Sequence, residues 1–357
     1  MTHFLQDILR QPQELRGVID YLSGGGRSAL EAAVEAVRRT RHVYLTGIGS
    51  SWHAAINAKS LFHRGGFPVH TQDAAELLHW DALPENSVLI VISRTGRSAE
   101  IVDLLPKARR AGATVIGVSN SPDSPLIQQA HFPMVIPVGL DHGVSVNTYS
   151  TLSAAASIMA AVVVGTFDSH LAGSLTSALA ESAEALSRWQ EQISTGAWLK
   201  PRATYYFLAR STSMGSCHEA RLLWEEAVKA PATALGTGSF RHGPQEVIAP
   251  NGRFGVWIDG LHMRQQDLAL VRDLRQLDAS VMLVGYDLPE DAGDLVFQLP
   301  RILPEWQFLI DIIPAQLAAE RLAGIAGVDC DSFRLCPYVV DDEGGLFHGQ
   351  EVQPENA

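Results

Sequence analysis

Cysteine is scarce in this 357-residue chain. Cys217, Cys330 and Cys336 are too few and too unevenly spaced for a disulfide framework or a zinc site. That scarcity fits a reducing, cytoplasmic compartment. Basic residues are short as well, 27 against 39 acidic ones, for a net charge of −12. So acidic a chain is a poor holder of a polyphosphate backbone, which argues against nucleic acid as a partner. A small phosphate ester needs only a local pocket and stays open. The opening MTHFLQDILRQPQEL carries Asp7 and Glu14 and has no apolar core, so it does not read as a signal peptide. Charge is missing from Gly143 to Phe167, but Thr148, Ser150, Thr151, Ser153 and Ser157 stud that stretch. It reads as a buried helix of a globular domain, not as a membrane span.

What is present is a globular composition, 46% hydrophobic and 18% charged, at a length that suits about two domains. Near the start, Leu5, Ile8 and Leu9 recur at helical spacing, and Pro12 is expected to end that helix. Short β-rich runs at 42–47, 87–93, 113–120 and 132–138 alternate with helical segments such as AEIVDLLPKARRAG. Such alternation argues for a parallel sheet covered by helices on both faces. The pattern then recurs. YLTGIGSSWHAA (44–55) parallels FLARSTSMGSCHEA (207–220), and TVIGVSN (114–120) parallels VMLVGYD (281–287), at offsets of 163 and 167 residues. The fold class expected is α/β, with two tandem doubly wound, flavodoxin-like lobes.

The two copies differ where chemistry would sit. In the first, the strand SVLIVIS runs into Ser93-Arg94-Thr95-Gly96-Arg97-Ser98 and then a helix from about Ala99. Hydroxyls and amides at a helix N-terminus suit a phosphate, although the same cluster would also serve as a plain N-cap. Gly47-Ile48-Gly49-Ser50-Ser51 forms a second strand-to-helix turn, but Trp52 stands where a dinucleotide fingerprint requires glycine, so no such cofactor is expected. The equivalent stretch of the second copy, VWIDGLHMRQQ, carries Asp259 and no hydroxyl cluster, and would repel a phosphate. Between 217 and 244 lie Glu219 and Glu226, seven apart and so on one helical face, and His242 before Gly-Pro. Arg221 and Glu225 make an ordinary surface pair. A carboxylate and an imidazole beside a sugar phosphate are what ring opening and C1–C2 proton transfer require, though a helix glutamate and a loop histidine are more often inert.

GIGSSWHAA, ISRTGRSAEIVDLLPKARRAGATVIGVSN, EARLLWEEAVKA and SFRHGP, in this order and spacing, resemble the sugar-isomerase (SIS) domain family. The likeness is to the isomerase half of the glutamine–fructose-6-phosphate aminotransferases, and LQDILRQPQELRGVI is similar to the linker before that half. The resemblance implies a division into 1–26 (linker helix), 27–170 (first lobe), 171–200 (connector), 201–337 (second lobe) and 338–357 (tail). It puts Ser93, Arg94, Thr95 and Ser98 on the phosphate loop and Ser50 and Ser51 on the other sugar-phosphate turn. Val144 and Val146 fall on the sugar-contacting segment. Glu226 and His242, sixteen residues apart, match the proton-transfer glutamate and the ring-opening histidine. Because the family's histidine comes from the partner subunit, a homodimer with shared sites is implied, with no metal or organic cofactor. The family's glutaminase half has no counterpart here, so no glutamine-derived ammonia is expected within this polypeptide.

Departures from the family pattern are specific. Leu223 and Tyr338 stand where the family has lysines, and Val146-Asn147-Thr148 replaces the serine and lysine of its sugar segment. The chain has only four lysines, Lys59, Lys107, Lys200 and Lys229, none at a family catalytic position. Lys229, one turn beyond Glu226, is the one conceivable substitute, though it also reads as a surface lysine. Three readings result: an isomerase acting on a sugar 6-phosphate, a deaminase or deglycase of an amino or glycated derivative, and a non-catalytic phosphosugar sensor.

Overall fold

A computed structural model describes residues 1–335 and 339–346. Two five-stranded sheets, parallel throughout, carry the chain. The first comprises β1 (Val43–Thr46), β2 (His70–Thr71), β3 (Val88–Ser93), β4 (Thr114–Ser119) and β5 (Phe132–Val135), in the order β2-β1-β3-β4-β5. The second comprises β6 (Thr204–Ala209), β7 (Ala232–Gly236), β8 (Gly252–Trp257), β9 (Ser280–Gly285) and β10 (Leu295–Gln298), in the order β7-β6-β8-β9-β10. Both sheets therefore share one topology. The sequence parallels noted above pair β1 with β6 and β4 with β9, which are corresponding strands. All six residues of β3 and of β8 are buried, as expected where helices cover both faces of a parallel sheet.

Chain order reverses between β1 and β3, so the turns after these two strands open on one crevice. That is where open α/β sheets hold ligands. The turns are Gly47–Ser51 and Ser93–Ser98, the two hydroxyl-rich motifs of the first lobe.

The uncharged stretch folds as the helix Asn147–Val163, with all seventeen residues buried. It packs against the helix Ser50–Arg64, which in turn packs against the second lobe's helix Met214–Leu223. Gly215 is required at that crossing, because a Cβ there would stand 2.1 Å from Asn57 Oδ1 and 2.6 Å from the His53 carbonyl. Among the described residues no helix is long and apolar enough to cross a membrane.

The N-terminal helix does not stop at Pro12. It runs from His3 to Ser23 with Pro12 inside it. An interior proline costs about 3 kcal/mol. Against that, Phe4, Ile8, Leu15, Val18, Ile19 and Leu22 are buried, each contributing about 1.5–3 kcal/mol. The helix is also anchored from far along the chain, since the Asp331 carboxylate accepts from the amides of His3 and Phe4, both at 2.8 Å. The long helix Ser169–Thr195 links the lobes, and Thr195 is followed by an extended Gly196.

Candidate active site

The hydroxyl-rich turn Ser93–Ser98 of the first lobe is preorganised by its own side chains. Ser93 ends β3, and its Oγ accepts from the Gly96 amide at 3.0 Å; Thr95 Oγ1 accepts from Arg97 N at 3.3 Å. Gly96 sits at φ +59°, and a Cβ there would lie 2.4 Å from Ser124 Oγ, so only glycine fits. Ser119 Oγ and Ser121 Oγ donate to the Arg94 carbonyl and hold the outgoing chain. Ser98 precedes the helix Ala99–Arg110 without a capping hydrogen bond, which leaves its hydroxyl for a ligand at the positive end of the helix dipole. The C-terminal segment returns here: the Val340 carbonyl accepts from Ala99 N at 3.0 Å, and Glu343 meets His79 at 2.8 Å.

The corresponding turn of the second lobe is filled by its own carboxylate. Asp259 accepts from the amides of Leu261, His262 and Met263 at 2.8–3.2 Å, occupying the donors that an anion would need. Asp267 braces the same turn, accepting from Arg210 Nε at 2.7 Å and Asp259 N at 3.1 Å. Of the two corresponding turns, the first lobe's alone keeps hydroxyls and amides not taken up by a carboxylate of its own; the second lobe contributes a cluster of carboxyl groups near it.

Those groups come from the helix Met214–Leu223 and the π-turn Trp224–Val228 that continues it. A π-turn widens the helix and re-aims its side chains, and such turns recur at functional sites. Glu226 lies in this turn, half-buried. Burial, then the neighbouring Glu219, raise its carboxyl to about 7, while the positive charges of Arg94 and Lys229 pull the other way. Glu219 is fully buried and crosses the lobe boundary: Ser50 Oγ donates to its Oε1 at 3.0 Å, and its Oε2 lies 2.7 Å from His53 Nδ1. Burial raises Glu219 to about 8 and lowers His53 to about 3. The Glu219 carboxyl therefore carries the shared proton and donates it to the imidazole. Ser50 commits its only hydroxyl proton to Glu219, whereas Ser51 is buried beside it in the turn.

Val144 and Val146 are both buried in the loop that leads into the helix Asn147–Val163. Asp141 shapes that loop, accepting from the amides of Val146, Asn147 and Thr148 at 2.8–3.0 Å and from Thr148 Oγ1 at 2.6 Å. Arg94 reaches across from the phosphate turn, its Nη1 donating to the Gly143 carbonyl at 3.3 Å and to Ser145 Oγ at 3.1 Å. The phosphate turn, the sugar-segment loop and, through charge, Glu226 thus meet at one guanidinium.

His242 is not brought to this cluster within the chain. It is exposed after the short helix Thr237–Phe240, and among the described residues its imidazole makes no hydrogen bond. Leu223 is fully buried. Lys229, at φ +58°, points its ammonium at the carbonyls of Glu226 and Ser332, so it ties the π-turn to the C-terminal segment. Tyr338 lies outside the described residues. The roles of Glu219, His53 and Asp141 were not legible beforehand, the seven-residue spacing of Glu219 from Glu226 being the one available signal; Asp259 was expected to disfavour a phosphate, and it does stand in that turn.

Residues 36–164 match the family model described as "SIS domain". The glutamine–fructose-6-phosphate aminotransferase [isomerizing] of Pyrococcus horikoshii is 25% identical over 343 residues, covering 92% of this chain and 56% of that protein. The chain thus spans somewhat more than half the length of this relative. Among solved structures, the glucosamine-6-phosphate deaminase of Thermotoga maritima superposes with a TM-score of 0.78 at 21% identity, covering 95% of this chain and 99% of that one. The tagatose-6-phosphate ketose/aldose isomerase of Escherichia coli gives 0.79 at 20% identity, covering 94% and 97%. At these identities the structural likeness establishes a shared fold. Residues 36–164, which span the first sheet and its hydroxyl-rich turns, thus match a SIS domain, and the chain as a whole is similar in sequence to the glutamine–fructose-6-phosphate aminotransferases.

Proposed function

We propose that the protein is a phosphosugar isomerase acting by 1,2-proton transfer on a sugar 6-phosphate or an amino or glycated derivative of one. The observation that carries this reading is the Glu226 carboxyl, raised to about 7 and under the charge of Arg94 from the phosphate turn. A carbon-bound proton is weakly acidic, and a base whose pKa lies near neutrality serves best for taking it up and giving it back. The phosphate on C6 rests on Ser93, Thr95, Ser98 and the adjoining amides, with Ser51 at the second turn. The backbone of the loop at Val144 and Val146 faces the sugar, and Arg94 holds that loop. Glu226 moves the proton between C1 and C2 through an enediol or enaminol.

His242 opens the ring. Its exposure, with no hydrogen bond to the cluster among the described residues, supports a homodimer in which each site borrows the imidazole of the other subunit; a cytoplasmic location is part of the same proposal. No step in this scheme needs a metal or an organic cofactor. The three compared proteins are named for amination, deamination and isomerisation of sugar phosphates. A proton shift between C1 and C2 is the step these reactions have in common. Amination through a lysine imine is not part of the proposal, since Leu223 is aliphatic and Lys229 is tied to two carbonyls.

Those same two residues favour a second reading, a phosphosugar-binding sensor that has kept the pocket without turnover. Proton exchange in D2O decides between them. Fructose 6-phosphate, glucosamine 6-phosphate and a glycated amine 6-phosphate are incubated with the protein, and the C1 and C2 protons are followed by NMR. Exchange lost in Glu226→Gln supports the isomerase. Binding without exchange in any of the three supports the sensor.

A further inference from the structure

Asp7 shares the buried face of the N-terminal helix with Phe4, Ile8 and Leu15, and is only 1% exposed. An unpaired carboxylate would be costly there. Asp7 is paired with the loop that leads into the helix Asn147–Val163. It accepts from the His142 amide at 2.9 Å and from Arg10 Nε and Nη2 at 3.1 and 2.9 Å. Arg10 carries the contact onward. Its Nη2 donates to the Leu140 carbonyl at 2.8 Å and to Asp141 Oδ1 at 3.3 Å, and its Nη1 to Glu14 Oε1 at 3.0 Å. Glu14 Oε2 in turn accepts from the Gly139 amide at 3.1 Å. Only glycine allows this approach, because a Cβ on Gly139 would stand 2.0 Å from Arg10 Nη1. The Asp7 carbonyl accepts from Asn147 Nδ2 at 2.9 Å, so the clamp holds both ends of the loop.

This is the loop that Arg94 ties to the Ser93–Ser98 turn. Asp141 is the joint between the two attachments. It receives Arg10 on one side and the amides of Val146, Asn147 and Thr148 on the other. Thr148 Oγ1 also lies 3.3 Å from Ser145 Oγ, the acceptor for Arg94. Covering the core requires none of these bonds, which fix where a loop stands.

We propose that Asp7 and Arg10 are positioning residues: through Asp141 they set where residues 143–146 stand relative to the Ser93–Ser98 turn, and so how a sugar held by its phosphate lies against Glu226. The inference rests on the proposed function, from which it takes the sugar-facing role of this loop. Asp7 and Arg10 act without touching the ligand. Their effect is large because a shift of about 1 Å in a positioning element costs about 10^2-fold in rate.

The test separates the sugar from its phosphate. Inorganic phosphate and fructose 6-phosphate are titrated calorimetrically into the full chain carrying Glu226→Gln, so that turnover does not disturb the curves. C1 proton exchange at saturation is followed by NMR with Glu226 intact. Arg10→Ala is expected to bind inorganic phosphate within about twofold of the parent, while fructose 6-phosphate affinity falls about tenfold and exchange about 10^2-fold. Arg10→Lys, a point charge without the fork, is expected to recover part of both. Glu14→Ala, at the clamp's partly exposed end, removes only the Gly139 acceptor and one Arg10 contact; it is expected to lower fructose 6-phosphate affinity about threefold, again without affecting inorganic phosphate.

Unchanged sugar-phosphate affinity and exchange in Arg10→Ala and Glu14→Ala would overturn the proposal, and Glu14→Ala alone decides if Arg10→Ala does not fold. Equal losses for both ligands would overturn it too, since the clamp would then support the fold without placing the sugar. The affinities are read whether or not the parent turns substrate over, so failure of the isomerase reading leaves this test standing. A parent that binds neither ligand would overturn the proposed function and this inference together.

Discussion

His53 Nδ1 lies 2.7 Å from Glu219 Oε2, a contact between helices that follow corresponding strands in the two lobes. Both groups are buried, and across the range from about 3 to about 8 the folded pair holds a single proton. The unfolded pair holds two protons below about 4.5, one from there to about 6.5, and none above. Its contribution to stability therefore rises with pH from about 3 to 4.5, is flat to about 6.5, and falls from there to about 8. In Glu219→Gln the falling limb disappears, because His53 alone, with its folded value depressed, adds only a rise up to about 6.5. Urea unfolding of wild type and variant across this range measures the difference; a falling limb that persists unchanged in the variant would remove Glu219 from the account.

In the proposed reaction Glu226 acts as the base in its ionised form, and burial holds its carboxyl near 7. The rate of C1 proton exchange is expected to rise with pH through about 7, with a slope of one proton on the acid side. Glu226→Gln is expected to lower the exchange rate by about 10^3-fold or more while ligand affinity changes little. Equal losses in affinity and in exchange would assign the residue to binding instead.

If His242 serves the partner's site, Glu226→Gln and His242→Ala are each inactive alone but complement one another when subunits mix. Half the dimers are then mixed and carry one intact site of two, so roughly a quarter of wild-type activity returns. Subunit exchange followed by the NMR assay reads this directly. Absence of any recovery, with mixed dimers shown by mass spectrometry, would place both residues in one chain's site or put His242 outside the chemistry.

Gly96→Ala places a Cβ 2.4 Å from Ser124 Oγ at a backbone angle of +59°. The left-handed angle and the overlap together are expected to cost about 2–4 kcal/mol and to displace the Ser93–Gly96 turn. Thermal unfolding measures the first effect. Loss of sugar-phosphate affinity beyond that of inorganic competitors measures the second. A stable variant with intact affinity would show that the turn adapts.

Much of the fold was legible in the sequence because a doubly wound lobe writes itself locally. Strands such as Val88–Ser93 are short apolar runs, helices such as His3–Ser23 and Ser169–Thr195 start at side-chain caps, and the repeat offsets match corresponding strands of two sheets with the same order. Pro12 misled because proline is read as a local breaker, whereas the burial of residues on both sides of it outweighs the local cost. The hydroxyl turn at Ser93–Ser98 was visible for the same reason as the strands: a turn, its glycine and the helix it feeds are contiguous.

The tertiary structure decided what contiguity does not encode. Ser50 and Glu219 are 169 residues apart and share a hydrogen bond; Arg94 reaches 51 residues along the chain to Ser145. The pKa values of Glu219, His53 and Glu226 depend on burial between lobes, a property of packing that no local pattern carries. The sequence alone determined the repeated sheet and the hydroxyl-rich turn after β3, through hydrophobic period and backbone chemistry over a few residues. Which hydroxyl is spent on a carboxylate and what lies beside Glu226 were settled only when distant segments met, since hydrogen bonding and desolvation act through space.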